Sequence, residues 1–223
     1  MASVYYKSRR QAGKKIIDFL QQKQLLTQPS TVISLNTDSL LVALDLTWLL
    51  KCPLHLYLSE DIKVPGGVSL GSVNQEGEFS YGSDISSGYQ DYFYQEYHGY
   101  IEDSKREGFS QLNRELGSNE VFRNDLIKGR VIYIVIDCLD QLNSLDSLLH
   151  SIRMLTIKKL IICAPLIMSN SMSHIQQVCD NYFVDGVIDY FFGADHYFED
   201  NTTIKREAGI KMVSDSLKTW PKN

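Results

Sequence analysis

The fold class of this 223-residue chain is decided by residues 131–144, which read VIYIVIDCLDQLNS. The first six residues form a continuous apolar and β-branched run, without the polar alternation of a strand that faces water on one side. Such a run is typical of a central parallel strand whose two faces are both buried. Asp137 and Asp140 follow this strand at its carboxyl end, where parallel sheets bind their ligands.

Short apolar runs alternate with amphipathic helical patterns on both sides of this strand. Four further runs are predicted to be strands: Val32–Leu35, Leu54–Leu58, Leu160–Ala164 and Val187–Phe192. Strands separated by helices favour a parallel sheet with right-handed crossovers. We therefore predict a doubly wound α/β fold with a mainly parallel five-stranded sheet.

The alternation is interrupted between about residues 60 and 120. Glu60 to Gly77 is rich in Gly, Val and Ser and predicts a loop or hairpin, whereas Lys105 to Leu116 is polar and has a helical pattern. Tyr81 to Tyr100, between them, is dense in Tyr, Gly and Ser. We interpret this region as a small irregular hood, inserted into a single domain that spans residues 1–223.

Six aromatic residues of this region form a candidate contact surface: Tyr89, Tyr92, Phe93, Tyr94, Tyr97 and Tyr100. Exposed tyrosine-rich surface is enriched at protein interfaces. Two other interpretations of this segment stay open: it could form a mobile lid, or it could form a hood that packs over the edge of the sheet.

The composition argues against several classes of protein. Hydrophobic residues make up 43% and charged residues 22%, as in ordinary globular proteins. The net charge of -5 argues against general binding to nucleic acid or anionic membranes. The basic run from Lys7 to Lys15 is interpreted as the solvated face of the first helix. No apolar run approaches membrane-spanning length. Four cysteines without a CxxC pair fit a reducing compartment, so a cytoplasmic location is expected.

The order and spacing of these elements resemble the type I phosphoribosyltransferases, in particular a small bacterial group of predicted phosphoribosyltransferases. The resemblance extends over most of the chain. It rests on the following stretches: Lys7–Gly13, Val64–Gly67, Leu70–Val73, Lys128-Gly129, Ala164-Pro165 and Asp180. It implies a fold of the phosphoribosyltransferase type.

In that family the central strand is followed by Asp-Asp-Gly-x-Ala-Thr-Gly-x-Thr. The acids hold the ribose hydroxyls of phosphoribosyl pyrophosphate (PRPP), and the Gly/Thr loop wraps its 5-phosphate. The corresponding site positions in this chain are Asp137, Asp140, Gln141, Asn143 and Ser144. Only Asp137 and, loosely, Ser144 are retained, while Cys138 and Leu142 replace the glycines that let amides converge on a phosphate. The resemblance therefore implies a degenerate PRPP loop.

The other phosphate-binding elements of the family have also changed. Its Pro-Arg-Gly-Gly pyrophosphate loop corresponds here to Asn36-Thr37-Asp38-Ser39, which leaves Thr37, Asp38 and Ser39 as degenerate positions. Its Arg-Lys pair after the second strand is replaced by Glu60-Asp61, which reverses the charge. An acidic mouth at the carboxyl edge of the sheet is expected to repel a polyanion.

The helix after the central strand is expected to satisfy its own amino terminus. Asn143 is the predicted N-cap, and Asp146 lies three residues further on, where a carboxylate is favourable. An anion site at this terminus would then be filled from within the chain.

These losses favour a phosphoribosyltransferase-like protein that is inactive toward PRPP and acts as a binding or regulatory module. It is expected to form a homodimer or to bind another protein, with no cofactor. The sequence identifies no catalytic residue, and a Mg²⁺ or Ca²⁺ site in the acidic cluster is a less favoured alternative. The alternative is an active but diverged phosphoribosyltransferase that uses PRPP and Mg²⁺. In that case Asp137 would hold the ribose and Ser144 the phosphate.

Overall fold

The structure is a computed structural model that describes residues 5–140 and 142–221. Its strands and helices in chain order are β1 (Tyr6–Ser8), α1 (Arg9–Gln22), β2 (Ser30–Ser34), α2 (Leu40–Leu50), β3 (Leu54–Leu56), β4 (Ser59–Lys63), β5 (Ser69–Asn74), β6 (Phe79–Tyr81), α3 (Ser87–Leu116), β7 (Val131–Val135), β8 (Cys138–Leu139), α4 (Asn143–Ile152), β9 (Lys159–Met168), α5 (Met172–Val178), β10 (Asn181–Ile188), β11 (Phe198–Asp200) and α6 (Arg206–Lys218). The chain forms two compact units. The first comprises Met1–Leu56, Asn119–Asp140 and Leu155–Asn223, and the second comprises Tyr57–Ser118 and Gln141–Met154.

The first unit is built on a parallel sheet with the strand order β10-β9-β7-β2-β3. The predicted five-stranded parallel sheet is confirmed, and every residue of its central strands β2 and β7 is buried. From β2 the chain first moves to β3 on one side and then to β7, β9 and β10 on the other. The direction of winding therefore reverses between β2 and β7, and open α/β sheets bind ligands at this point, outside the carboxyl ends of the strands.

Strand β9 is longer than predicted, because it continues through Pro165 to Met168. Proline has no N–H to donate, and the register with β10 joins Ala164 to Val184 and Leu166 to Gly186 without a pair at Pro165. On the other side of β9, pairing with β7 ends at Cys163 and pairing with β8 resumes at Leu166. Asp137 lies in this interruption, and its backbone amide donates to Ser39 Oγ instead of to a ladder carbonyl.

The predicted fifth strand at Val187–Phe192 is misplaced, since β10 spans Asn181–Ile188. Residues 189–192 lie beyond its end and are exposed, so the aromatic residues 190–192 do not mark a core strand. The register of β10 instead follows β9 from Ile161 to Met168.

Helices α1 and α2 pack closely within the first unit. Ser8 caps α1 through its Oγ, which accepts a hydrogen bond from the Gln11 amide at 3.3 Å. At the helix crossing, a Cβ atom added to Gly13 would lie 2.6 Å from the Val42 carbonyl oxygen, so only glycine permits this approach.

In the described residues, no helix has both the length and the apolar surface that a membrane span requires.

The second unit contains a three-stranded antiparallel sheet with the order β4-β5-β6, accompanied by α3 and α4. Its apolar cluster combines Ile62, Val64, Leu70 and Val73 of the sheet region with Ile101 of α3. The predicted hairpin within residues 60–77 is confirmed, as is the helical pattern of residues 105–116. Within the predicted hood, Ser87–Leu116 is helical and consists of two helical segments that meet at a kink at Tyr97. A single domain over residues 1–223 stays a prediction.

Candidate functional site

The candidate site of the first unit lies where the winding of the sheet reverses. The loop of residues 36–39 follows β2, and Asp137 follows β7. The fold brings two predicted positions together, since the Asp137 amide donates a hydrogen bond to Ser39 Oγ at 3.1 Å. The Asp137 Oδ1 atom lies 3.3 Å from the same hydroxyl.

The loop of residues 36–39 is closed by the side chain of Asn36. Its Oδ1 atom accepts hydrogen bonds from the Ser39 amide at 2.8 Å and from Ser39 Oγ at 2.6 Å. The Ser34 hydroxyl in turn donates to the Asn36 carbonyl at 2.8 Å. Ser39 is fully buried, whereas Thr37 and Asp38 are half-buried. The Ser39 amide, at the start of α2, is therefore already bonded within the loop.

Asp137 forms a buried ion pair with Arg9, the first residue of α1. The Arg9 Nε atom lies 3.1 Å from Asp137 Oδ2, and the side chains are 1% and 4% exposed. The guanidinium carbon of Arg9 also lies 4.6 Å from the centroid of the Phe198 ring. A buried carboxylate of this kind depends on its partner, because an unpaired charge in the interior is strongly destabilising.

Arg9 was not identified as a site residue from the sequence. The interpretation of Lys7 to Lys15 as a solvated face is wrong for Arg9, although it holds for Arg10 and Lys14, which are exposed. A signal was available, because Arg9 shares the helical spacing of the buried residues Ala12, Gly13, Ile16 and Leu20. A charged residue in that row implies a buried partner.

Carboxylates dominate the electrostatics around this loop. Burial raises the pKa of Asp38, and the negative charge of Asp137 raises it further, while Arg9 opposes the shift. Asp195 also raises the pKa of Asp38, whereas Arg206 lowers it. Asp140, the remaining predicted position in the first unit, is exposed.

The described residues lack a cluster of metal-ligating side chains. They contain no group of three or more His, Cys, Asp or Glu side chains that could hold an ion. Hard cations such as Mg²⁺ require several open carboxylate or carbonyl oxygens. Asp137 does not fit this requirement, since its Oδ2 atom already accepts a hydrogen bond from Arg9.

In the second unit, the prediction that Asn143 caps α4 is wrong. Leu142 occupies the N-cap position, no side chain caps the helix, and Asn143 is the first helical residue. Its amide nitrogen Nδ2 instead donates to Ser69 Oγ at 2.7 Å and to Asp61 Oδ1 at 3.3 Å. The reason is that polar acceptors of β4 and β5 lie within reach of this side chain and compete with the helix terminus.

The other predicted positions near the start of α4 also bond within the second unit. The Ser59 hydroxyl donates to Ser144 Oγ at 2.9 Å, and the Ser83 amide donates to Asp146 Oδ2 at 2.8 Å. Glu60 and Asp61, which reverse the charge of the family's basic pair, lie in β4. Gln141 lies outside the described residues.

In the structure, two of the six aromatic residues of the candidate contact surface contribute to packing and four are exposed. Phe93 and Tyr97 pack against the apolar cluster of the second unit. The other four residues are exposed: Tyr89, Tyr92, Tyr94 and Tyr100. Their role as an interface stays a prediction.

No protein-family model and no curated protein sequence matches the chain. Among solved structures, the protein TT1426 from Thermus thermophilus is similar with a TM-score of 0.74 and 17% sequence identity, covering 95% of this chain and 99% of that chain. This likeness shows a shared fold over nearly the full length of both chains.

Two phosphoribosyltransferases are also similar, at lower TM-scores. The purine phosphoribosyltransferase from Pyrococcus horikoshii has a TM-score of 0.46 and 14% identity, covering 83% of this chain and 88% of its own. The adenine phosphoribosyltransferase from Thermoanaerobacter pseudethanolicus has a TM-score of 0.43 and 9% identity, covering 79% and 80%. These values do not assign the chain to a family.

Proposed function

We propose that this protein is a phosphoribosyltransferase-like module that does not use PRPP and that acts by binding, in a structural or regulatory role. The observation that carries the proposal is the state of Asp137, the one acid retained from the PRPP motif. This residue is 3% exposed and is paired with Arg9 in the interior.

An Asp137 carboxylate that turned outward to bind ribose would leave Arg9 without its partner. Leaving Arg9 unpaired in the interior costs about 3–5 kcal/mol. The whole binding free energy of a micromolar ligand is only about 8 kcal/mol. This cost would therefore remove about half of the available binding free energy before any phosphate is bound.

The phosphate-binding positions support the same proposal. In the first unit the Ser39 amide is bonded to Asn36, and the nearby Asp38 adds negative charge to the mouth. In the second unit Asn143 and Ser144 are bonded to side chains of β4 and β5. The Ser39 amide and the Asn143 side-chain amide therefore already donate within the chain rather than to a phosphate oxygen.

Isothermal titration of the full chain with PRPP and Mg²⁺ tests the proposal. We expect no saturable heat up to a concentration of about 1 mM, the range of very weak ligands. Asp137→Asn is the matched control, since any heat that persists in this variant does not arise from the retained acid. Micromolar binding would refute the proposal, and its loss in an Asp137→Asn variant that circular dichroism shows to be folded would support an active, diverged transferase.

The proposed binding role includes association with a second copy or with another protein, without a cofactor. Sedimentation equilibrium over a range of concentrations measures self-association directly. A monomer at all concentrations would exclude the homodimer and leave a different protein as the partner.

A further inference from the structure

Helix α3 carries exposed aromatic side chains that its own unit does not cover. Tyr89 is 63% exposed, Tyr92 53%, Tyr94 41% and Tyr100 51%. Residues two positions apart do not share a helix face, so Tyr94 projects away from Tyr92. We call the other three residues, Tyr89, Tyr92 and Tyr100, the tyrosine face. The adjacent row, Phe93, Tyr97 and Ile101, packs against the small sheet and anchors the helix.

The rings at the start of the tyrosine face are ordered by neighbouring rings. Tyr89 stacks on Phe93 with a centroid distance of 6.2 Å, and Tyr92 meets Phe93 edge-on at 5.3 Å. Tyr89 and Tyr92 also line a shallow depression of about 330 Å³ together with Ser86 and Gly88. Rigid tyrosines of this kind supply contact area at a low cost in conformational entropy.

The surroundings of the tyrosine face are acidic. Residues 64–104 contain no Lys or Arg but contain seven acids: Glu76, Glu78, Asp84, Asp91, Glu96, Glu102 and Asp103. Glu102 and Asp103 are paired with Lys105 and Arg106 further along the helix. No ion pair among the described residues involves Asp91 or Glu96, which lie between the exposed tyrosines. The first half of α3 therefore combines open aromatic rings with uncompensated negative charge.

We propose that the tyrosine face binds a segment of a partner protein rich in Lys and Arg. Cations bind the faces of tyrosine rings, and nearby carboxylates strengthen the attraction. The same unit already contains such a contact, since Lys105 Nζ lies 4.3 Å from the centroid of Phe79. Nucleic acids and anionic membranes carry the wrong charge for this surface. The inference goes beyond the proposed loss of PRPP binding and does not depend on it.

The length of the tyrosine face sets the size of the partner segment. The rise from Tyr89 to Tyr100 is about 17 Å in a helix. An extended peptide covers this distance with about five or six residues. A fluorescein-labelled peptide of about eight alternating Arg and Ser residues is therefore a suitable probe.

Fluorescence anisotropy of this peptide with the full chain tests the inference. We expect saturable binding in about 50 mM NaCl that weakens strongly in about 300 mM NaCl. Tyr89→Ala and Tyr92→Ala should each weaken binding by about fivefold, whereas Tyr92→Phe should retain it. The double variant Asp91→Asn, Glu96→Gln should weaken binding and flatten its salt dependence.

Matched controls come from exposed residues outside α3. Tyr190 is 75% exposed in the first unit, and Glu207 lies on α6. Tyr190→Ala and Glu207→Gln should leave the affinity unchanged, and circular dichroism should show that every variant is folded. Equal losses in these controls, or no binding of the peptide at low salt, would overturn the inference. Self-association that is abolished by Tyr92→Ala would also overturn it, since the occupant would then be a second copy.

Discussion

Replacing Asp137 by Asn distinguishes a structural role of this residue from a ligand-binding role. A residue kept for binding or catalysis is often a source of local instability, so its removal leaves stability unchanged or raises it. Asp137 is instead buried against Arg9. The substitution leaves a guanidinium without its counter-charge, and we expect it to destabilise the protein.

The expected loss follows from the environment of the pair. Removing one partner of a buried ion pair costs about 3–5 kcal/mol. The lower end is expected, because Asn keeps the volume of Asp137 and its Oδ1 atom can still accept a hydrogen bond from Arg9 Nε. For a chain of this size, a loss of about 3 kcal/mol lowers the melting temperature by about 6–12 °C.

A double-mutant cycle isolates the contribution of the pair. Arg9→Met keeps an apolar side chain against Phe198 but leaves Asp137 unpaired, so it should be destabilising on its own. The single variant Asp137→Leu completes the cycle, and the double variant Arg9→Met, Asp137→Leu removes both charges and should recover most of that loss. The coupling free energy should exceed about 1.5 kcal/mol, as for residues in direct contact.

Urea unfolding followed by circular dichroism measures these free energies. Asp18→Asn, at an exposed acid of α1, is the control and should change stability by less than about 0.5 kcal/mol. An Asp137→Asn variant as stable as the parent, or more stable, would refute the structural role of this residue. The same result would remove the main support for the proposed loss of PRPP binding.

Three further predictions concern the interior. Burial lowers the pKa of His55 to about 3, whereas His55 in the unfolded chain takes up a proton near pH 6.5. The free energy of unfolding should therefore fall by about 2 kcal/mol between pH 6.5 and pH 5. Urea unfolding of the His55→Phe variant should lack this part of the pH dependence. Gly71→Ala should destabilise the second unit by about 3 kcal/mol in thermal unfolding, because the φ of Gly71 is 154° and the added Cβ would meet the Ser80 carbonyl oxygen. The control Gly88→Ala should be neutral, since open space surrounds Gly88. Burial raises the pKa of Cys52 to about 11 and also raises the pKa of Cys138 and of Cys163. In the folded protein at pH 8, a thiol reagent should therefore label at most the half-buried Cys179. In denaturant it should label all four cysteines.

The parallel sheet could be predicted because its strands are buried on both faces and therefore read as continuous apolar runs. Val131–Val135 is the clearest case, with all five residues buried. The same rule failed at β10, where Asp185 and Gly186 interrupt the apolar run and drew the prediction toward Val187–Phe192. Only Val187 and Ile188 of that segment belong to the strand, and residues 189–192 beyond it are exposed.

Helix α3 was only partly predicted, because both of its faces carry aromatic residues in the first half. The spacing of Phe93, Tyr97 and Ile101 is helical, but the exposed tyrosines between them hide this row. The pair of Arg9 and Asp137 could not be predicted from local patterns, since 128 positions separate the two residues. The periodicity of α1 shows only that Arg9 is buried, and the partner is known once β7 is placed.

The second unit is encoded in two pieces, Tyr57–Ser118 and Gln141–Met154, with β7 between them. On the ribosome, β2 and β3 therefore emerge well before the strand that completes their pairing. Until β7 is translated, one edge of β2 has no neighbour, and such an edge favours pairing with other chains. Neither unit is formed by a single continuous segment of the chain. Expressing the second unit alone would require a new peptide linker in place of the segment that contains β7.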